Sequence, residues 1–278
     1  MKTVEQYLYD LERFGLTPTK ILTRLISDSS RNPRIVTVTM PKSGTNLLQR
    51  ILILHPSLRR AWLPTLGNRN KEIWSDVQKL LKPVRQGSII STHFDYDEDL
   101  ALVLQRELGF KTIFMVRDPR DVVISAIHYI QSWPGHPHKK LISSMGSDKE
   151  KILAIINGHS IIPSISQKIR RFSGWIDKSH LVRFEDAVGT AGGGDDFTQR
   201  ESVRNIYKYL DMPLNDKLLN YICGNARSQK TQTFRRGLIN EWKNQFDSEL
   251  TSAFKIQAGQ LLIDMGYEKN LEWAPFHK

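Results

Sequence analysis

The chain has 278 residues, with 40 Lys and Arg against 29 Asp and Glu, which gives a formal net charge of +11 at pH 7. This length predicts one domain with a sizeable core, and 40% hydrophobic with 25% charged residues argues against a disordered chain. The only cysteine, Cys223, excludes an intramolecular disulfide and a zinc site built on cysteines. Because no segment is apolar enough for a membrane span or a signal peptide, a cytoplasmic protein is expected. The positive charge favours an anionic partner.

Short β-branched runs alternate along the chain with segments whose apolar residues recur at helical spacing. The predicted strands are 34–38, 87–93, 111–117 and 180–186. The predicted helices are 3–27 with a break at Pro18, 45–54, 97–108, 118–130 with Asp118 as cap and Pro119 as first residue, most of 147–176, 198–210, 215–225 and 249–265. This alternation predicts an α/β fold in which a central parallel sheet is flanked by helices on both faces. Residues 1–278 are interpreted as one domain, with 1–30 a helical extension and about 34–268 the core.

The segment TMPKSGTN, residues 39–46, joins the first predicted strand to the next helix. In parallel α/β sheets, ligands bind beyond the carboxyl ends of the strands, and unpaired N–H groups at a helix N-terminus attract phosphate. Gly44 allows the backbone to approach an anion, and Lys42 supplies a positive charge. The pattern differs from the nucleoside-triphosphate loop G-x-x-x-x-G-K-[ST], because here the lysine precedes the glycine. The predicted phosphate-binding loop comprises Lys42, Ser43, Gly44, Thr45 and Asn46.

Three other segments carry polar residues to the same edge of the predicted sheet. STHFD ends a strand at His93, and MVRDPRDVVIS places Arg117 at a strand end with Ser125 in the following helix. TFRRGL lies in a stretch without clear periodicity, and its guanidinium groups can donate in a planar fork to phosphate oxygens. The predicted anion clamp in this stretch comprises Arg235, Arg236 and Gly237.

Taken together, these segments resemble the sulfotransferase family that uses 3′-phosphoadenosine 5′-phosphosulfate (PAPS). The resemblance covers roughly residues 34–268 and rests on TMPKSGTN, STH, VRDPRDVVIS, VRFED and FRRGLINEWKNQF. It implies a single three-layer α/β domain of the kind found in P-loop nucleotide kinases. It also implies transfer of the sulfuryl group of PAPS to an acceptor hydroxyl, or less favourably an amine, with 3′-phosphoadenosine 5′-phosphate (PAP) as product. No metal is required.

The resemblance also implies a role for each site residue. The loop from Lys42 to Asn46 holds the 5′-phosphosulfate, and Lys42 lies near the bridging oxygen. His93 is the general base. The residues that bind the 3′-phosphate are Arg117, Ser125, Arg235, Arg236 and Gly237.

The sequence departs from the family pattern at three other positions and in one segment. Ser91 stands where cytosolic relatives often carry a lysine, and Leu47 stands where they carry a tryptophan beneath the adenine. Phe184 stands where a tyrosine hydroxyl meets the base, and it is included among the predicted cofactor-binding residues. Residues 243–252 match a dimerisation motif only in part, which leaves monomer and homodimer both open.

Two other functions stay open on the residues alone: a P-loop-type nucleotide-dependent kinase and a non-catalytic basic nucleic-acid-binding protein. The missing nucleoside-triphosphate pattern counts against the first. The second lacks a recognised nucleic-acid-binding signature, and no nucleic-acid partner is expected. The expected acceptor is a small molecule or a glycan with a hydroxyl. Its pocket is expected among residues 61–75, 131–146 and 228–240, with candidate wall residues Trp62, Trp133 and Phe94.

Overall fold

In a computed structural model of the protein, the described residues are 4–26, 29–67, 74–227 and 237–275. The strands are β1 Arg34–Thr39, β2 Arg59–Arg60, β3 Leu66–Gly67, β4 Ser88–His93, β5 Phe110–Val116 and β6 His180–Arg183. The helices are α1 Val4–Arg13, α2 Pro18–Ile26, α3 Thr45–Ile53, α4 Trp74–Leu81, α5 Glu98–Leu102, α6 Pro119–Ser132, α7 Lys139–Ser143, α8 Asp148–Asn157, α9 Ile165–Ser173, α10 Trp175–Lys178, α11 Phe184–Ala187, α12 Asp196–Tyr209, α13 Asp216–Asn225 and α14 Ser248–Asp264.

The strands form one sheet in the order β2-β4-β1-β5-β6, and β3 pairs with the end of β4. Every one of these pairings is parallel. Strand β1 lies at the centre, so the chain leaves it between the ends of β4 and β5. This is the position at which open α/β sheets bind ligands. The predicted parallel sheet is confirmed.

Apolar cores lie on both faces of the sheet. Successive residues of β1 point to opposite faces, so Ile35 belongs to one core and Val36 to the other. The first core contains α3 and the buried Tyr207 of α12, and the second contains α6 and α14 with the buried Trp175. The helix–sheet–helix arrangement of a single α/β domain, predicted from the alternating pattern, is confirmed. None of the helices within the described ranges is both long and apolar enough to cross a membrane.

The predicted strand over 180–186 is too long. Strand β6 ends at Arg183, and Phe184 begins a short helix with acidic residues in its first turn. Acidic side chains favour a helix N-terminus, which explains why the extended segment stops there. The predicted helix over 97–108 is regular only to Leu102, after which residues 103–107 form a wider π-helical turn.

The predicted start of helix α6 is confirmed. The Asp118 side chain accepts a hydrogen bond from the Arg120 N–H at 2.9 Å, and Pro119 follows the cap. Proline suits this position because its missing N–H would have no partner within the helix. The cap therefore begins α6 directly after β5 and directs its N-terminus to the carboxyl edge of the sheet.

The N-terminal helices contact the opposite end of helix α3. The buried Lys20 ammonium donates to the carbonyls of Ile53, His55 and Leu58, at 3.1 Å in the case of His55. A cation at a helix C-terminus satisfies carbonyls that have no partner within the helix and complements the helix dipole. Helix α1 adds an ion pair between Glu12 and Arg50. These contacts attach the N-terminal helices to the element that follows the predicted phosphate loop.

Lys20→Met is expected to change how stability depends on pH. Burial lowers the pKa of Lys20 in the folded protein to about 7, against an ordinary value of 10.5. The unfolded chain therefore binds more protons between these pH values, so this group makes stability rise with pH. Between pH 7 and pH 9 the free energy of unfolding of the unsubstituted protein should gain about 2 kcal/mol relative to the variant. Urea unfolding at both pH values measures the difference, with Lys217→Met as the exposed control. An equal change in the free energy of unfolding between the two pH values in Lys20→Met and in the unsubstituted protein would contradict the lowered pKa of Lys20.

Candidate active site

The predicted phosphate loop forms a tight turn between β1 and α3. The Ser43 N–H donates to the Met40 carbonyl at 3.0 Å, and Lys42 and Gly44 both adopt positive φ, 78° and 108°. A Cβ at Gly44 would lie 2.6 Å from Phe184 Cδ2 and 2.7 Å from Met115 Sδ. The turn therefore requires glycine at residue 44 for both its conformation and its close packing.

Gly44→Ala is expected to lower the free energy of unfolding by at least about 2 kcal/mol, because it combines a strained φ with two clashes. Urea unfolding measures the effect. The matched control is Gly224→Ala in helix α13, where a Cβ meets no atom within 4 Å. This control should be neutral or slightly stabilising, since alanine is the better helix former. Equal midpoints for the two variants would contradict the role of Gly44.

The loop and the first turn of α3 offer several donors to an anion. Gly44 is the N-cap of α3 and supplies no side-chain cap to its N–H groups. The Ser43 hydroxyl is buried and has no hydrogen-bond partner among the described residues. Thr45 and Asn46 are half-buried at the start of the helix. A buried unpartnered hydroxyl beside an uncapped helix N-terminus fits a bound phosphate or sulfate oxygen.

His93 ends strand β4 beside the phosphate loop. Its Nδ1 lies 2.7 Å from the Thr39 carbonyl and 3.2 Å from Thr39 Oγ1, which is 2.7 Å from Thr45 Oγ1. Because a carbonyl only accepts, Nδ1 carries the proton and Nε2 carries the lone pair. Burial, and to a smaller extent the positive charge of Lys42, lower the pKa of His93 below its ordinary value. The imidazole is therefore neutral at pH 7 and its Nε2 can accept a proton.

Lys42 faces an aromatic group at the end of helix α6. Its ammonium lies 4.3 Å from the centre of the Tyr129 ring, a cation–π distance. Tyr129 in turn stacks on Trp133 and meets His136 edge-on, with ring centres 5.6 and 5.5 Å apart. We call Tyr129, Trp133 and His136 the aromatic wall. The aromatic wall therefore adjoins Lys42 through Tyr129.

The other candidate wall residues lie elsewhere. Phe94 is 1% exposed and belongs to the core beneath the sheet edge. Trp62 is 73% exposed and stacks on Phe14 of the N-terminal segment, with ring centres 4.0 Å apart. Of the three aromatic residues singled out in the sequence, Trp133 belongs to the group beside Lys42.

Arg117 links the phosphate loop to the C-terminal part of the chain. Its guanidinium donates to the Lys42 carbonyl at 3.3 Å and to the Leu238 carbonyl at 2.7 Å. It also lies 4.5 Å above the ring of the buried Phe184, which packs against Gly44. Its Nε is buried without a partner among the described residues. The guanidinium is thus fixed in place, and its Nε–H is a buried donor without an acceptor in the described ranges.

Asp121 is a site residue that the sequence reading missed. Its carboxylate accepts hydrogen bonds from the backbone N–H groups of Asn240 and Trp242, at 2.8 and 3.0 Å. Burial raises the pKa of Asp121 to about 6, against the opposing charge of Arg117. The residue thereby holds the segment after Gly237 next to the start of α6. The sequence shows an acidic residue one helical turn after Arg117, and this spacing is equally typical of a surface ion pair.

The predicted 3′-phosphate residues are only partly described. Gly237 has a φ of 58°, and the following segment is held by Arg117 and Asp121. Ser125 is half-buried on α6, one turn before Tyr129. Arg235 and Arg236 lie outside the described residues. The structure therefore brings together Lys42, His93, Arg117 and Gly237 at one edge of the sheet. Within the described ranges, no group of three or more His, Cys, Asp or Glu side chains could hold a metal ion.

A phosphate-type loop, a neutral histidine and a fixed arginine lie at the end of a parallel sheet, where α/β proteins bind phosphorylated ligands. The sulfotransferase domain family matches residues 32–266. The chain therefore belongs to the sulfotransferase family. The family and the enzyme class predicted from the sequence are confirmed.

Curated relatives and solved structures agree with this assignment. Sulfotransferase 2A1 of Macaca fascicularis is 23% identical over 264 residues, covering 84% of this chain and 86% of that protein. The human Sulfotransferase 2A1 is 23% identical over 249 residues, covering 78% and 79%. The crystal structure of mouse sulfotransferase SULT7A1 complexed with PAP has a TM-score of 0.62 at 18% identity and covers 95% of this chain and 92% of that one. Retinol dehydratase in complex with androsterone and PAP has a TM-score of 0.57 at 14% identity, covering 94% and 86%.

Proposed function

We propose that the protein transfers the sulfuryl group of PAPS to a hydroxyl of a small acceptor. The observation that carries this proposal is the hydrogen-bonded chain from Thr45 through Thr39 to His93, which joins the phosphate loop to a neutral imidazole. The PAP bound in mouse SULT7A1 and in retinol dehydratase supports the choice of nucleotide. A proton-accepting group beside an anion-binding loop is what in-line group transfer to a hydroxyl needs.

The loop residues fit the sulfonated end of PAPS. The unpartnered Ser43 hydroxyl and the N–H groups of the first turn of α3 would donate to its phosphosulfate oxygens. PAPS, when bound, supplies the activated sulfuryl group and a phosphate leaving group. The Lys42 ammonium would stabilise the negative charge that grows on the leaving oxygen, where a fixed cation has the largest effect on rate.

His93 would act as the general base. The Thr39 carbonyl holds the proton on Nδ1, so Nε2 is the nitrogen that would remove the acceptor proton. Because burial lowers the pKa of His93, the unprotonated form predominates at neutral pH. The same carbonyl hydrogen bond would stabilise the imidazolium formed during transfer.

The 3′-phosphate would bind on the opposite side of the loop, between α6 and the segment that follows Gly237. Arg117, directly after β5, and Ser125 of α6 would contact it, and Arg235 and Arg236 are assigned to it by the resemblance to the family. The unused Nε donor of Arg117 supports this assignment. The hydrogen bonds from the backbone of residues 240 and 242 to the Asp121 carboxylate support the position of the segment that follows Gly237.

The acceptor would lie against the aromatic wall. Tyr129 is the wall residue next to Lys42, and Trp133 is 42% exposed, so an apolar ring could pack on it. Retinol dehydratase binds androsterone and, in a further structure, retinol, both of which carry hydroxyl groups on apolar skeletons. These ligands support a hydroxylated acceptor with an apolar body.

Thermal unfolding with PAP or ATP, followed by transfer from labelled PAPS to a panel of alcohols, phenols, amines and glycans, tests the proposal. PAP should raise the melting temperature by several degrees, and ATP should have a much smaller effect. At least one hydroxyl compound should then acquire the label. Stabilisation by ATP alone would favour a kinase, and stabilisation by neither nucleotide would overturn the proposal.

A further inference from the structure

A group of basic side chains adjoins the aromatic wall and shares His136 with it. We define the basic cluster as His136, His138 and Lys168. The two imidazoles lie on the segment between α6 and α7 with ring centres 5.2 Å apart, and Lys168 lies on α9, which packs against α6. The His138 N–H donates to His136 Nδ1 at 3.1 Å, so His136 Nε2 carries its proton and is available as a donor.

Within the described ranges, no ion pair balances the positive charge of the cluster. Among the residues that the structure describes, no carboxylate lies within ion-pair distance of the Lys168 ammonium. The buried His138 Nδ1 likewise has no hydrogen-bond partner in this part of the chain. An ammonium without an ion-pair partner beside two imidazoles is stabilised by an anion that contacts it.

The directions of the pKa shifts agree with this geometry. Burial, together with the positive charges of His138 and Lys168, lowers the pKa of His136 to about 4. Burial and the charge of Arg171 lower the pKa of Lys168 to about 8. No acidic group contributes to these pKa shifts; both imidazoles are neutral at pH 7, and the Lys168 ammonium carries the positive charge of the cluster.

The position of the cluster connects it to the acceptor. The Lys42 ammonium lies 4.3 Å from the centre of the Tyr129 ring, and the His136 ring lies edge-on to the same ring with centres 5.5 Å apart. A molecule that packs its apolar body on Tyr129 and Trp133 therefore lies next to both Lys42 and the basic cluster.

We propose that the basic cluster is an anion subsite of the acceptor pocket, so that the preferred acceptors carry a carboxylate or a similar acidic group opposite the hydroxyl that is sulfonated. The inference rests on the proposed function. Lys168 would bind the acid directly as an ammonium, and His136 Nε2–H would donate a hydrogen bond to it. The aromatic wall would select the apolar body between the two ends.

Calorimetry on PAP-saturated protein tests the subsite with two probes of matched shape, 3-(4-hydroxyphenyl)propanoate and 4-propylphenol. The carboxylate probe should bind at least about tenfold more tightly, which corresponds to about 1.4 kcal/mol. Lys168→Met should reduce this ratio to about one, whereas Lys168→Arg, which keeps the charge, should retain most of it. Lys217→Met, an exposed lysine on α13, is the charge-matched control and should keep the full ratio.

PAP binding, measured separately, distinguishes the two proposals. Absence of PAP binding would refute the proposed function. With PAP bound, equal or weaker binding of the carboxylate probe, a dissociation constant above about 1 mM for it, or an unchanged ratio in Lys168→Met would each overturn the subsite. If Lys168→Met lost PAP affinity but kept the probe ratio, the cluster would belong to the nucleotide and the inference would fail.

Discussion

His93→Asn lowers kcat by at least about 100-fold, the usual contribution of a positioned general base, and leaves the dissociation constant of PAP within about twofold of the original. Asparagine keeps a side-chain donor near the Thr39 carbonyl, which accepts from Nδ1 at 2.7 Å, but offers no nitrogen lone pair to the acceptor proton. Steady-state kinetics with labelled PAPS and calorimetry with PAP measure the two quantities.

The pH profile provides a second readout for His93. The base must be unprotonated, so kcat/KM rises with pH through the pKa of His93, which burial lowers below 6.5. The acidic limb should therefore lie below pH 6.5, with a plateau at neutral pH, and it should disappear from the residual activity of His93→Asn. His159→Asn, an exposed histidine between α8 and α9, should keep both the rate and the profile. Comparable turnover in His93→Asn would remove the residue from the role of base.

Lys42→Met lowers kcat by about 10²–10³-fold, the range seen when one fixed donor to a developing oxyanion is removed. Methionine has a similar length and tolerates the positive φ of 78° no worse than lysine does, so the loop should keep its conformation. The ammonium is the only part removed, together with its contact with the Tyr129 ring. The loss in kcat should exceed the loss in PAP affinity, because the lysine acts mainly on charge that develops during transfer.

The comparison of Lys42→Met with Lys217→Met separates a local effect from a change in net charge. Each variant removes one positive charge, but Lys217 is exposed on α13. The control should therefore leave kcat and PAP affinity within about twofold of the original values. A kcat for Lys42→Met within about threefold of the unsubstituted protein would contradict the assignment of Lys42 to the leaving group.

The sequence alone was sufficient for the elements whose cause is local. Alternating strands and helices predicted the parallel sheet, Asp118 and Pro119 predicted the start of α6, and TMPKSGTN predicted the loop that follows β1. These features depend on hydrophobic period, on capping and on the special conformations of proline and glycine. Each of these causes acts between residues that are only a few positions apart in the sequence.

Tertiary structure decided the contacts that join distant parts of the chain. Asp121 accepts hydrogen bonds from residues 240 and 242, and Lys20 contacts the end of α3. Phe184, which was expected in a strand, begins helix α11 and packs against Gly44. Each of these side chains has an ordinary local interpretation as a surface charge or a strand residue. Its actual partner lies more than thirty residues away, and the pairing depends on how the sheet orders its strands. Local sequence patterns do not determine the order of the strands. The long-range contacts of the site therefore follow only from the tertiary structure, in which β1 lies at the centre of the sheet.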